Sequence, residues 1–230
     1  CCCCFCKQKT AYEIEYGLVG SEMCIRDRSY ISDDFFINDE MERFPAGSCG
    51  GKIDWGWMQH IYSSLNDGGQ AAVILDTGAA SRGSGNQGNN KEKDCRKWFI
   101  DNNLIEGVIY LPENLFYNTS APGIIIFLNK NKKYKDKIYL LHAGKEFEKG
   151  DPKNFITPDG IERIANTYKA FKEEEKFARL VNKDEIVKND YNISPSRYIP
   201  VSYTHLRAHE TVLDLVCRLL LEKKHTTKTT

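Results

Sequence analysis

Through the middle of the chain the apolar residues change period several times, and each change marks an element. Across residues 53–65, Trp57, Met58, Ile61 and Leu65 recur at helical spacing, which predicts an amphipathic helix, and Asn66-Asp67-Gly68-Gly69 supplies its stop. Residues 70–75 form an apolar run without alternation, the mark of a strand covered on both faces. A polar, glycine-rich loop spans residues 77–90. The helical period returns over 91–103, with Cys95, Trp98 and Phe99 on one side, and residues 107–111 make a second apolar run. A helix between two buried strands predicts a parallel crossover unit.

The third apolar run, 123–128, comes only about a dozen residues later with no helical segment between, so an antiparallel, hairpin-like insertion is expected. A Lys/Asn-rich turn (129–137) and a short strand (138–141) follow. Pro158 then opens a helix in which Ile161, Ile164, Ala165, Tyr168 and Phe171 keep the helical period. The expected fold class is α/β: half of a doubly wound sheet, with parallel strands plus an antiparallel hairpin strand. Residues 29–145 are expected to carry the strands, and 146–199 to close the same domain with helical structure.

Residues 1–28 and 200–230 show neither this periodicity nor its turn punctuation. GLVGSEMCIRDR (17–28) and VSYTHLRAHETVLDLVCRLLLEKK (201–224) resemble translated sequencing-adapter read-through, so both ends are expected to be non-native and are set aside from functional reasoning.

Charge and cysteine usage narrow the function classes. Lys plus Arg and Asp plus Glu each number 32, so there is no global basic field to drive salt-sensitive, sequence-independent nucleic-acid binding, and any DNA contact must be local or shared with a partner. The longest apolar runs are far too short to span a bilayer, and no secretory signal pattern is present; a soluble, cytoplasmic protein is expected. Of nine cysteines, five crowd the first six positions, and only Cys49 and Cys95 lie in the central region. No second Cys/His knuckle gives zinc-site spacing, so no metal is expected, and two lone interior cysteines fit a reduced compartment.

Four linked stretches carry a resemblance: IDWGWMQHIYSSLNDGGQAAVIL (53–75), DCRKWFIDNNLIEGVIYLPENLFYNTSAPGIIIFLNKNK (94–132), EFEKGDPKNFITPDGIERIANTY (146–168) and DYNISPSRYI (190–199). Their order resembles the modification subunits of type I restriction-modification systems, a family of adenine-specific DNA methyltransferases. The resemblance implies the C-terminal half of a Rossmann-like S-adenosylmethionine-dependent methyltransferase domain, transferring a methyl group to the exocyclic amino nitrogen of adenine in DNA. It also implies DNA as a partner, together with a specificity subunit and a restriction subunit. That chemistry needs a glycine loop after a first strand for the cofactor, an Asn-Pro-Pro-aromatic tetrapeptide at the target amino group, and a base outside the duplex. This chain has no Asn-Pro-Pro sequence, and its first 28 residues do not supply the first strand with its glycine loop. No catalytic or cofactor-binding residue is therefore assigned, and this polypeptide alone is expected to be inactive. A non-enzymatic fragment that docks to a specificity subunit is the alternative.

What the resemblance leaves in the chain is part of a target-base pocket, with Phe116 and Tyr117 as candidate base-stacking rings in the stretch 112–122. Packing at the hairpin base is the competing role for either ring. Arg82, Lys130, Lys132 and Lys133 are candidate DNA phosphate contacts, although charge runs at strand turns more often keep a surface solvated. Gly83-Ser84-Gly85-Asn86-Gln87-Gly88 spells a dinucleotide fingerprint, but seven residues, Asp76 to Arg82, separate it from Leu75, so it does not directly follow a strand. It is read as accidental, and it alone supports the rival reading of a nucleotide-dependent oxidoreductase. Asp54 is expected to cap a helix, and His60 to be a half-buried helix residue.

Overall fold

A computed structural model describes residues 32–50, 52–85, 90–117 and 119–200. The chain divides into a unit ending at Pro200 and a second, Val201–Thr230, which lies outside the described residues, as do residues 1–28.

Seven of the segments foreseen from periodicity form. Helix α1 (Asp33–Ile37) precedes α2 (Asp54–Ser64), β1 (Gln70–Asp76) and a 3-10 turn (Thr77–Ala80). Helix α3 (Lys91–Asp101), β2 (Ile105–Tyr110), β3 (Gly123–Asn129), β4 (Lys137–His142) and α4 (Pro158–Ala170) follow, then β5 (Ala178–Asn182), α5 (Lys183–Lys188) and α6 (Pro195–Tyr198). Local chemistry sets the helix ends. The Asn90 side chain accepts from Lys93 N at the start of α3. Thr157 accepts from Gly160 N ahead of Pro158, and Phe171 closes α4 in the left-handed conformation.

The five strands lie in the order β1-β3-β2-β4-β5. β1 and β2 point the same way, as expected of a crossover, but they are not neighbours: β3 is inserted between them, antiparallel to both, so that Ile126 stands opposite Val73 on one side and Val108 on the other. That slot explains why β3 is apolar on both faces. Among the described residues only β2 and β4 pair in parallel, while β5 closes the far side antiparallel to β4. The sheet is thus mixed.

Alternation assigns the faces. Ile109, Tyr139 and Leu141 point to the side where Ile164, Tyr168 and Phe171 of α4 pack, while Val73, Val108, Ile126 and Leu140 are buried on the other. Helix α2 contacts β1 there, and α6 contacts β2 and β4. α4 approaches closely at Gly107, where a Cβ would stand 2.8 Å from the Tyr168 ring and 2.9 Å from the Tyr139 carbonyl oxygen. The buried face of α2 is centred on Trp55, Met58 and Gln59, rather than on Trp57 and Leu65, which are half-buried. His60 is half-buried as foreseen. Asp54 does not cap α2: the N-cap position is Ile53, with no side-chain bond to the helix amides. Among the described residues no helix is long and apolar enough to cross a membrane, and no group of three or more His, Cys, Asp or Glu could hold a metal ion.

Candidate functional site

Open α/β sheets present their loops for chemistry at the carboxyl ends of the parallel strands. Here that edge is formed by Asp76, Tyr110 and His142 at the ends of β1, β2 and β4, with Gly123 opening β3 beside Asp76. Three connections rise from it, over residues 77–90, 111–122 and 143–157.

In its described residues the middle connection forms a finger. Leu111 N donates to Gly123 O at 2.9 Å and Asn114 N to Ser120 O at 2.9 Å, which closes its base. The third connection braces it: Asn154 N donates to Asn114 O at 3.0 Å, and Lys153 Nζ reaches Asn114 Oδ1 at 2.9 Å and Thr119 O at 3.2 Å. Phe116 and Tyr117 occupy this finger in opposite states. The Phe116 ring packs at the edge of the apolar cluster containing Ile109, Leu111 and Tyr139, lying so close over Gly123 that a Cβ there would meet it at 2.7 Å. Tyr117 is 86% exposed. One ring therefore anchors the finger, and the other is presented to solvent.

On the first connection, Arg82 lies at the centre of an ion cluster. Its Nε donates to both oxygens of Glu92 at 2.7 and 2.9 Å, Nη1 to both oxygens of Asp76 at 2.7 and 3.0 Å, and Nη2 to Asp54. Burial works against its charge, but the carboxylates of Glu92, Asp76 and Asp54 outweigh it and hold the guanidinium above its ordinary pKa. Burial pushes the Asp54 carboxyl up even with Arg82 beside it, and the like charges of Asp76 and Glu92 add to the shift. A phosphate approaching Arg82 would have to displace one of these partners. The glycine loop is also committed internally. Gly83 and Gly85 take left-handed conformations, and Gly85 N donates to the Asp190 carboxylate at 2.7 Å. Residues 86–89 lie outside the described residues.

A residue that no sequence motif marks holds this edge together. Arg96, fully buried on α3, donates from Nε to Tyr191 O at 2.6 Å, from Nη1 to Ala79 O at 3.2 Å, and from Nη2 to Arg82 O at 2.9 Å and Ser84 Oγ at 2.8 Å. It fastens the first connection to the segment 190–199, where Ile193 N also donates to Ala80 O at 3.0 Å. Burial pushes its pKa down to about 10, with Glu92 and Asp190 opposing. The helical period gave no signal for it, because Arg96 lies about 100° round α3 from Cys95, off the side formed by Cys95, Trp98 and Phe99.

Lys130, Lys132 and Lys133 are at the other end of the sheet, beyond the last residue of β3, roughly 20 Å from the finger at about 3.3 Å per strand residue. Lys130 Nζ donates to Leu65 O and lies 4.6 Å from the Tyr62 ring centre. Lys132 is half-buried, and Lys133 sits over the rings of Tyr134 and Phe171. Phe116, Tyr117 and Arg82 thus share one edge, and the three lysines do not.

Residues 28–205 match the family model described as N-6 DNA Methylase. Two relatives from Methanocaldococcus jannaschii, the type I restriction enzyme MjaVIII and MjaVII methylase subunits, are 44% and 41% identical to the chain over 151 residues, covering 64% of it and 25% of each relative. The chain thus spans about a quarter of the length of the curated relatives it matches. Among solved structures, the type I restriction-modification system methyltransferase subunit from Streptococcus thermophilus superimposes with a TM-score of 0.67 at 34% identity, covering 75% of this chain and 36% of that one.

Proposed function

Since the chain belongs to the N-6 DNA methylase family, we propose that it is the later, base-facing half of the catalytic domain of a type I adenine-specific DNA methyltransferase. The parent reaction is transfer of a methyl group from S-adenosylmethionine to the exocyclic amino nitrogen of an adenine turned out of the duplex. The observation that carries this reading is the braced finger with Tyr117 exposed at the carboxyl edge of the sheet. A flipped base needs a face to stack on, and such a contact contributes about 1–3 kcal/mol in stacking platforms. Phe116 holds the finger down, and Arg96 and the Arg82 cluster hold the neighbouring connection still, so that the ring meets the base without reorganising.

The described residues do not fit the methyl donor. Above Gly78, the glycine nearest the end of β1, a Cβ would meet Arg82 Nη1 at 2.3 Å and Asp76 Oδ1 at 2.8 Å, so the space is filled by the ion cluster. The amide of Gly85 is taken by Asp190. No step through S-adenosylmethionine is therefore assigned to these residues. We assign donor binding and the Asn-Pro-Pro-aromatic element to the remainder of a longer polypeptide like the relatives, which would work with DNA, a specificity subunit and a restriction subunit.

The test is a chimera in which residues 32–200 replace the matching segment of the MjaVIII methylase subunit, assayed with its specificity subunit for methyl incorporation into adenine-containing DNA. The chimera is expected to methylate. Tyr117→Ala should lower the rate between about fivefold and about 150-fold, the equivalent of one lost stacking contact, and Tyr117→Phe should retain it. The 230-residue chain alone should transfer nothing. A chimera that folds and binds the donor yet leaves DNA unmethylated, or a Tyr117→Ala variant at full activity, would sink the reading.

A further inference from the structure

The two interior cysteines, unrelated by spacing in the sequence, meet in the fold. Cys49 precedes α2 and Cys95 lies on α3, 46 positions later, yet their Sγ atoms are 3.1 Å apart and both side chains are buried. We propose that Cys49 and Cys95 form a redox-active pair, a modification site at which a peroxide closes an intrachain disulfide joining the segment before α2 to α3.

The surroundings fix both sulfurs in place. Gln59, fully buried on α2, accepts from Ala46 N at 2.7 Å through Oε1, while its Nε2 donates to Gly47 O at 3.0 Å, to Cys49 Sγ at 3.0 Å and to Cys95 Sγ at 3.7 Å. The Cys95 thiol faces the carbonyl oxygens of Ala46, Gly47 and Ser48 at 3.6–3.9 Å. Gly47 and Gly50 both take left-handed conformations, which curls this segment around the pair. A disulfide needs its sulfurs at about 2.05 Å, so closure requires an approach of about 1 Å.

The chemistry balances with hydrogen peroxide as the oxidant. The Cys49 sulfur attacks one peroxide oxygen and becomes a sulfenic acid, and the other oxygen departs as water with the thiol proton. The Cys95 sulfur then attacks the Cys49 sulfur, and the hydroxyl leaves with the Cys95 proton as a second water. Two thiols are oxidised, and one peroxide is reduced to two waters. The Cys95 thiol beside it and burial both hold the Cys49 thiol above its ordinary pKa, so the reaction is slow and favours a small oxidant. Its product would staple α3 one residue before Arg96, the side chain that holds the carboxyl-edge connection.

The full chain is exposed to hydrogen peroxide in its folded state, alkylated after denaturation, and digested with trypsin without reduction. Cleavage after Arg43, Lys52, Lys93 and Arg96 places the two cysteines in the peptides 44–52 and 94–96. The expected result is a linked 44–52/94–96 species about 2 Da lighter than the sum of its reduced parts, abolished by dithiothreitol. It should be the main oxidised form of Cys49, despite seven competing cysteines elsewhere in the chain. The same treatment in urea should scatter Cys49 among those competitors, and Cys95→Ser should remove the linked species. Recovery of both peptides as alkylated thiols after the other cysteines have oxidised, or of Cys49 joined mainly to another cysteine in the folded chain, would overturn the proposal.

Discussion

At Arg96 a buried guanidinium serves four acceptors on two separate stretches of chain. Its loss acts twice, by removing those bonds and by stranding buried carbonyls without donors. Arg96→Ala should cost about 3 kcal/mol or more in urea unfolding. Arg96→Lys should recover little, because a compact ammonium cannot reproduce the planar fork. A loss below about 1 kcal/mol for Arg96→Ala would show that water satisfies those carbonyls. The finger rings should separate in the same measurement. Tyr117→Ala should leave stability within about 0.5 kcal/mol, since the side chain is almost wholly in solvent. Phe116→Ala should cost about 2 kcal/mol through the emptied contact over Gly123. The Cys49–Cys95 proximity belongs to this scale as well: neither residue's neighbours in sequence announce the other.

The connection from β3 to β4 carries a charge that folding disfavours. Burial pushes the Lys132 amine from 10.5 down to about 8, with Asp136 and Glu106 opposing. Below about pH 8 both folded and unfolded chains hold this proton and the folded state bears the full cost. Between about pH 8 and 10.5 the folded chain releases it first, so this group makes stability rise with pH across that window. Lys132→Met should raise stability at pH 7 by on the order of 1 kcal/mol and flatten the difference between pH 8 and 10.5 relative to the parent, as read from paired urea titrations. Elements with long, clean periodicity were legible in the sequence: α2, α3 and α4, and the apolar runs of β1, β2 and β3, all form near their expected limits. β5 was not, because ARLVN is short and half polar and becomes a strand only by pairing with β4. Four-residue α6 likewise depends on its packing under β2 and β4. Within the site the finger was legible as a stretch, whereas the Arg82 cluster was not, since Asp54, Asp76 and Glu92 converge from three elements with no common spacing.

For the whole molecule, one compact unit ends at Pro200, and we propose that residues 1–28 and 201–230 add nothing to its stability. A shortened chain of residues 29–200 should therefore unfold at the same urea midpoint as the full chain, and a drop of more than about 1 kcal/mol would show that the ends contribute to the fold. The split of candidate residues between the two ends of the sheet is likewise a property of topology: an antiparallel β3 returns the chain to the foot of the sheet, so Lys130, Lys132 and Lys133 are carried away from the finger that precedes them by barely a dozen residues. The same insertion sets a timetable during synthesis. β1 and β2 do not pair with each other, and each takes β3 as a neighbour. When the ribosome has delivered Asp76, the strand that will lie beside β1 is still 47 residues from starting, roughly 2 to 10 seconds at translation rates of about 5–20 residues per second. For that interval one of the most apolar stretches of the chain waits for its neighbour, so slow codons or a pause between residues 76 and 123 would lengthen the period in which the nascent chain depends on a chaperone.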